Sequence, residues 1–170
     1  MIAGHRPMYV DTGWHVADVP LRAALEAMFQ KYKVDVAIWG HNHSYQRSCS
    51  VNNMTCVDEK FKKEKCRALK KLKKNNNTTQ TDVVTSHRNH AMAELEKECS
   101  THGIQHFVIG MAGYAMNPIP EEKADFMVVT KNDTWGYLKM EFLSETVLKT
   151  TFISDLDGSV VDTFTLDKTE

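Results

Sequence analysis

Short apolar runs, one helical stripe and a late stretch of alternation divide the chain. Val34-Asp35-Val36-Ala37-Ile38-Trp39 is apolar almost throughout and ends at Gly40, which predicts a buried strand. Ahead of it, Leu21, Ala24, Leu25, Met28, Phe29 and Tyr32 recur at helical spacing, which predicts one apolar helix face laid on a sheet. Arg22, Glu26, Gln30 and Lys31 take the outer face. Asp18 can cap this helix, and Pro20 suits its first turn. Met1-Ile2-Ala3 reads as the tail of a further strand. Helix followed by strand is an α/β unit, whose active residues belong in loops at the carboxyl ends of strands.

The apolar pattern breaks over residues 57–103. Residues 57–74 hold eight lysines and Arg67 against Asp58, Glu59 and Glu64, and Asn75-Asn76-Asn77-Thr78-Thr79-Gln80 is polar and of low complexity. A solvated surface insertion is expected, helical around Phe61–Leu72 and Ala91–Cys99, with His87 and His90 exposed on it. The alternative is a basic patch that attracts anionic substrates or membranes. Beyond it, Gln105–Gly113 reads as a buried strand running into a glycine turn. Phe126–Thr130, Trp135–Leu143, Val147–Ser154 and Ser159–Leu166 read as short strands, with Asp157-Gly158 as a hairpin signal. Trp135, Tyr137, Lys139 and Glu141 would share one face, and Leu138, Met140 and Phe142 the other. This tail is expected to be an antiparallel meander packed on the α/β part.

Composition adds little to the fold. A length of 170 residues suits one domain with a real core, and a net charge of −1 gives no general affinity for nucleic acid. No apolar run approaches the roughly 18 residues of a membrane span. Cys49, Cys56, Cys66 and Cys99 contain no C-x-x-C pair, which argues against a zinc knuckle and allows two disulfides in any of three connectivities. Sequons at Asn53, Asn76, Asn77 and Asn132 make these glycosylation candidates; a further match at Asn42 lies inside a histidine pair and is expected to be unusable. Sequons beside an even cysteine count point to an exported protein, secreted or vacuolar/lysosomal, with its signal upstream of Met1.

The chemistry sits at the strand ends. His41 and His43 follow Ile38-Trp39, and His5 follows Ile2-Ala3, so two strand ends deliver histidines. Residues two apart on an extended segment point the same way, so His41 and His43 can serve one metal, or one each of two metals. The same spacing also suits two surface histidines in a turn. His15 could act as proton donor or be an exposed loop residue, and Asp11 is the one acidic residue close to His5 in sequence.

Five ordered stretches carry a resemblance. They are Gly4–Tyr9, the helix into Tyr32–Val36, Trp39-Gly40-His41-Asn42-His43-Ser44-Tyr45-Gln46-Arg47-Ser48-Cys49, His106–Gly113 and Trp135-Gly136-Tyr137-Leu138. Together they resemble the carboxyl-terminal half of a purple acid phosphatase, within the calcineurin-like metallophosphoesterases. The resemblance implies an α/β/β/α sandwich ending in an antiparallel β meander, with residues 1–170 forming part of the domain and 104–170 its β-rich end. It implies a dinuclear centre of Fe(III) and a divalent zinc, manganese or iron, at which a metal-bound hydroxide attacks a small phosphate monoester. By position, His5 and His41 would bind the divalent metal and His43 the ferric iron, His15 would hold the phosphate or protonate the leaving alkoxide, and Tyr45 and Arg47 would flank the metal loop. A homodimer of the full-length form is compatible with this reading.

Three departures from the family pattern shape the expectation. Trp14-His15 stands where two histidines are common, and Gln46 stands where the family carries glutamate. The G-D-x-G, G-D-x-x-Y and G-N-H-E motifs, which supply the remaining ligands, are absent from the chain. A longer enzyme carrying them upstream of Met1 is expected. The 170 residues alone should bind metal weakly and hydrolyse little. The alternatives are an inactive truncated paralogue, a mononuclear metal-binding module, and a phosphodiesterase or nucleotide pyrophosphatase of the same superfamily.

Overall fold

The computed structural model describes residues 1–12, 14–75 and 85–169, with the side chains of 59–61, 72, 75 and 85–89 left out. Its centre is a mixed sheet. Strands β1 (Ile2–Gly4), β2 (Val36–Trp39) and β5 (Ile104–Ile109) run parallel in the order β1-β2-β5. Strand β3 (Tyr45–Asn52) pairs antiparallel with β5. The outer edge of β3 is shared by β4 (Thr55–Cys56) near its end and β6 (Met127–Lys131) near its start. A second sheet is the meander β7 (Gly136–Phe142), β8 (Val147–Ser154) and β9 (Val160–Asp167). Among the described residues, β1 has no strand on its outer side.

The period-two rule sorts the core into two layers. On β2, Ala37 and Trp39 face one side, where Met8, Tyr9, Phe29, Ile104 and Val108 join them under helix α1 (Val19–Lys31). Val36 and Ile38 face the other, packing with Tyr45, Phe107, Leu148 and Phe152 between the two sheets. The result is an α/β/β stack ending in an antiparallel meander, the architecture expected.

Helix α1 starts as its sequence predicts. The carboxylate of Asp18 accepts a hydrogen bond from Leu21 N at 2.9 Å, and Pro20 stands in the first turn. Its buried stripe is narrower than the periodicity implies. Leu21, Leu25 and Phe29 pack on the sheet, whereas Ala24, Met28 and Tyr32 are exposed. Glu26 is not an outer-face residue: it accepts from the buried Tyr9 hydroxyl and from Asn53 N.

Other boundaries also move. Val34 and Asp35 precede β2, because the chain turns through Lys33 at φ 52° and Val34 N is tied to Phe29 O. Strand β3 was not anticipated, since Tyr45-Gln46-Arg47-Ser48-Cys49-Ser50-Val51-Asn52 lacks an apolar alternation. The strand over Phe126–Thr130 joins the main sheet as β6, not the meander. Leu138 and Met140 face the core as expected, but Phe142, at the end of β7, is exposed.

The insertion forms two helices longer than expected, α2 (Glu59–Asn75) and α3 (Thr85–Ser100). His90 is exposed on α3, while the side chain of His87 and the segment 76–84 lie outside the described residues. The cysteines resolve to Cys49–Cys56, closing the β3–β4 hairpin, and Cys66–Cys99, joining α2 to α3. Asn53 is exposed in the β3–β4 turn, whereas Asn132 Nδ2 already donates to Asn117 O at 3.0 Å; Asn76 and Asn77 are not described.

Candidate metal centre

Parallel pairing of β1 and β2 brings Gly4 level with Trp39, so the loops that follow leave the sheet together. Gly40 N donates to both Gly4 O and His5 O, locking the two loops. His5 Nε2 and His41 Nδ1 then stand 3.1 Å apart. His41 has φ 62°, a left-handed conformation that costs a non-glycine residue energy and holds its ring towards His5. His15 is half-buried, its ring centroid 4.4 Å from that of His41. His5, His15 and His41 therefore form one cluster. Burial lowers the His41 pKa, and electrostatic repulsion from its neighbours, His15 and Arg6 foremost, lowers it further. Both effects favour the neutral ring, the form whose lone pair can bind a metal.

His43 stands apart from this cluster. Its Nδ1 lies 2.9 Å from Ala115 O, and a carbonyl only accepts, so Nδ1 carries the proton and Nε2 is left with the lone pair. The backbone of His43 is held from both directions by the buried Asn117: His43 N donates to Asn117 Oδ1 at 2.5 Å, and Asn117 N donates to His43 O at 3.0 Å. The ring of Tyr114 lies edge-on, 5.1 Å away.

Beneath the histidine turn runs a buried polar chain. Ser44 Oγ donates to Asn42 Oδ1 at 2.6 Å, and Gln46 Nε2 donates to Ser44 Oγ at 2.9 Å and to Asp11 O at 2.6 Å. Asp11 N returns a bond to Gln46 Oε1 at 2.7 Å. Gln46 thus acts as donor and acceptor at once, which a glutamate could do only if protonated. Gln46→Glu is expected to cost about 2 kcal/mol at neutral pH through loss of these donors in a buried site. Chemical denaturation at pH 7 measures this, and an unchanged midpoint would show that water satisfies the carboxylate. Asn42 is fully buried, so its sequon is inaccessible as expected. Gly110 permits the turn, because a Cβ there would lie 2.2 Å from Asn42 O.

The remaining candidates point elsewhere. Tyr45 and Arg47 reach away from the histidine turn to Asp162 on β9. Tyr45 Oη donates at 2.6 Å, and Arg47 donates through Nε at 2.7 Å and through its second terminal nitrogen at 3.0 Å. Asp11 accepts from Ala124 N, and Asp35 lies beside His102 and Lys168. No group of three histidine, cysteine, aspartate or glutamate side chains able to hold a metal occurs among the described residues. Asn117, and the linkage of Asn42, Ser44 and Gln46 into one chain, were not anticipated. Only the chain left a signal, as polar residues interleaved with the histidines at period two.

Comparison with known proteins agrees with this architecture. Residues 103–163 match the family model described as iron/zinc purple acid phosphatase-like protein C. The chain is 26% identical over 147 residues to "Probable inactive purple acid phosphatase 1" of Arabidopsis thaliana, covering 86% of this chain and 18% of that protein. A 60-residue stretch, 33% of this chain and 9% of the relative, is 42% identical to "Probable inactive purple acid phosphatase 9" of the same plant. The chain therefore spans less than a fifth of the length of these relatives. The purple acid phosphatase PPD1 of yellow lupin (Lupinus luteus) shares the fold with a TM-score of 0.62 at 21% identity, covering 98% of this chain and 24% of that one. Taken together, these findings show a chain similar to the carboxyl-terminal part of purple acid phosphatases, in the family model over residues 103–163 and in the fold over nearly its whole length.

Proposed function

We propose that this chain carries the histidine part of a site for phosphate monoester hydrolysis and that, by itself, it binds metal weakly and does not turn over. The observation that carries this reading is the contact of His5 with His41 at 3.1 Å, in the absence of any three-donor group among the described residues. Two nitrogens on one tetrahedral zinc are about 3.3 Å apart, so the pair fits two positions on a single metal. It does not amount to a dinuclear centre. His43, with its Nε2 lone pair free and its backbone clamped by Asn117, suits a second metal.

When bound, a metal pair neutralises phosphate charge and acidifies water. The roles of this chain's own residues follow from their positions. His5 and His41 would hold the divalent ion and His43 the ferric ion. His15, packed on His41, would hold the phosphate or pass a proton to the leaving oxygen. Tyr45 and Arg47 would serve the site indirectly, by fixing the strand that begins at the histidine turn. A secreted or vacuolar location and glycosylation at Asn53 belong to the same proposal. The pairing of all four cysteines supports an oxidising compartment.

The relatives named probable inactive purple acid phosphatases favour absent turnover over a mere shortage of metal. Calorimetric titration with zinc tests the ligand assignment. One weak site per chain is expected, reduced at least tenfold by His5→Ala or His41→Ala and unaffected by His90→Ala. Equal loss from the His90 variant would remove the His5–His41 pair from consideration.

A further inference from the structure

We infer that the outer face of helix α2 is a docking surface for a linear acidic polysaccharide, one bearing sulfate or carboxylate groups along its length. This does not depend on the phosphatase reading. Helix α2 holds nine lysine and arginine residues against two glutamates, so +7 is concentrated on 17 residues of a chain whose total is −1. The α2–α3 pair enters the fold after β4 and leaves it at the start of β5. That is the end of the sheet opposite the strand ends that carry His5 and His41, so the charge does not feed the histidine cluster.

Neutralisation within the hairpin is confined to one side of α2. Cys66 is bonded to Cys99, Leu69 is buried, and Lys65 and Lys73 pair with Glu98 and Glu96 at 2.5 and 2.7 Å. Arg67, Lys70, Lys71 and Lys74 are exposed and form no ion pair among the described residues. At 100° per residue these four fall within an arc of about 100°, along roughly 10 Å of helix, turned away from α3. Helix and disulfide hold this ladder in place, so little order has to be gained on binding.

The kind of partner follows from what the ladder lacks. None of the large exposed apolar side chains lies on α2 or α3 among the described residues. A helix seated in a bilayer presents Trp, Phe or Leu to the lipid, and a protein interface needs an apolar centre. Single-stranded nucleic acid is gripped through aromatic stacking, and no exposed Phe, Tyr or Trp side chain lies on α2 or α3 among the described residues. Paired cysteines fit an oxidising compartment, where charged glycans are available. A ligand recognised by regularly placed anions alone fits these facts.

The test uses the whole chain and heparin as a linear sulfated probe, by titration in ~0.1 M salt, where surface charges still interact. The unmodified chain is expected to bind, with affinity falling as salt rises. The combined Arg67→Gln, Lys70→Gln, Lys71→Gln, Lys74→Gln variant should bind at least tenfold more weakly. A matched variant with Lys31, Lys97, Lys123 and Lys139 changed to Gln should stay within about twofold. All eight positions are exposed, so both variants should fold, and circular dichroism checks this. Failure of the unmodified chain to bind heparin would overturn the proposal, as would equal weakening by the two variants. Stripe-dependent capture by phosphatidylserine vesicles without heparin binding would overturn it in favour of a membrane surface. Duplex DNA binding as tight as heparin would reduce the site to a general polyanion contact and reject the polysaccharide assignment.

Discussion

Asp162→Ala should lower the stability of the fold by about 3 kcal/mol or more, because it strands a buried guanidinium. The side chains of Arg47 and Asp162 are only 12% and 11% exposed, and Asp162 accepts from both Arg47 and Tyr45. Burial pushes the Asp162 carboxyl up, but the Arg47 and Tyr45 bonds outweigh it and hold the group below the usual carboxylate range. Its stabilising contribution is therefore complete above the ordinary aspartate pKa and is lost as pH falls through the lowered one. The same residues join the two sheets, since the Tyr45 ring stacks on Phe152 at 4.0 Å and Arg47 lies over Phe164 at 5.0 Å. A loss of this size should lower the thermal midpoint by roughly 10 °C in a chain of this length. Replacing the whole network, with Tyr45→Phe, Arg47→Met and Asp162→Leu together, should recover most of the loss, since no buried polar group is then left alone. A loss below about 1 kcal/mol for the single variant would mean that Arg47 finds water instead.

The second large effect concerns acid. His106 is 1% exposed on β5, stacked on Trp39 and close to Tyr9. Its Nδ1 accepts the Trp39 indole N–H at 2.9 Å, so the remaining proton sits on Nε2, which has no partner among the described residues. Burial depresses its pKa to about 3. The unfolded chain takes up this proton near the ordinary histidine value, and the folded chain does so only near the lowered one. The contribution of His106 is therefore full above pH ~6.5 and is lost as pH falls towards ~3, at up to 1.36 kcal/mol per unit and on the order of 5 kcal/mol in all. His102 is also depressed by burial, so the wild-type slope is shared. His106→Asn keeps an acceptor for the indole and removes the titration. It should cost stability at pH 8 yet show a shallower decline between pH 6.5 and 4, measured by urea denaturation across pH. Parallel curves for the two proteins would place the acid sensitivity elsewhere.

How much of this was legible in the sequence depended on whether a pattern was local and apolar. The β2 run, helix α1 with its Asp18 cap and the last three strands were readable, because burial against one face leaves a periodic trace. Strand β3 left none. Its buried positions Gln46 and Ser48 are satisfied by particular partners, Asp11 and His106 among them, and hydrogen-bond partners distant in sequence have no periodicity. The same reason hid Asn117, 74 residues from the His43 amide it receives. The exposed ring of Phe142 and the engagement of Glu26 with Tyr9 and Asn53 show the opposite failure, in which tertiary position overrode a locally sensible assignment. His5, His41 and His43 were found as candidates because the α/β rule names strand ends, and His15 because it follows His5 in the same loop. That His15 packs on His41 while His43 turns to Ala115 required coordinates.

This chain is proposed to hold donors for part of a phosphatase-type site and to lack turnover of its own. Hydrolysis of p-nitrophenyl phosphate by the purified 170-residue chain, supplied with iron and zinc at mildly acidic pH, tests it most directly. The expected result is a rate indistinguishable from that of the metal ions alone, unchanged by His15→Ala. Turnover comparable to that of a full-length acid phosphatase, abolished by His41→Ala, would contradict it.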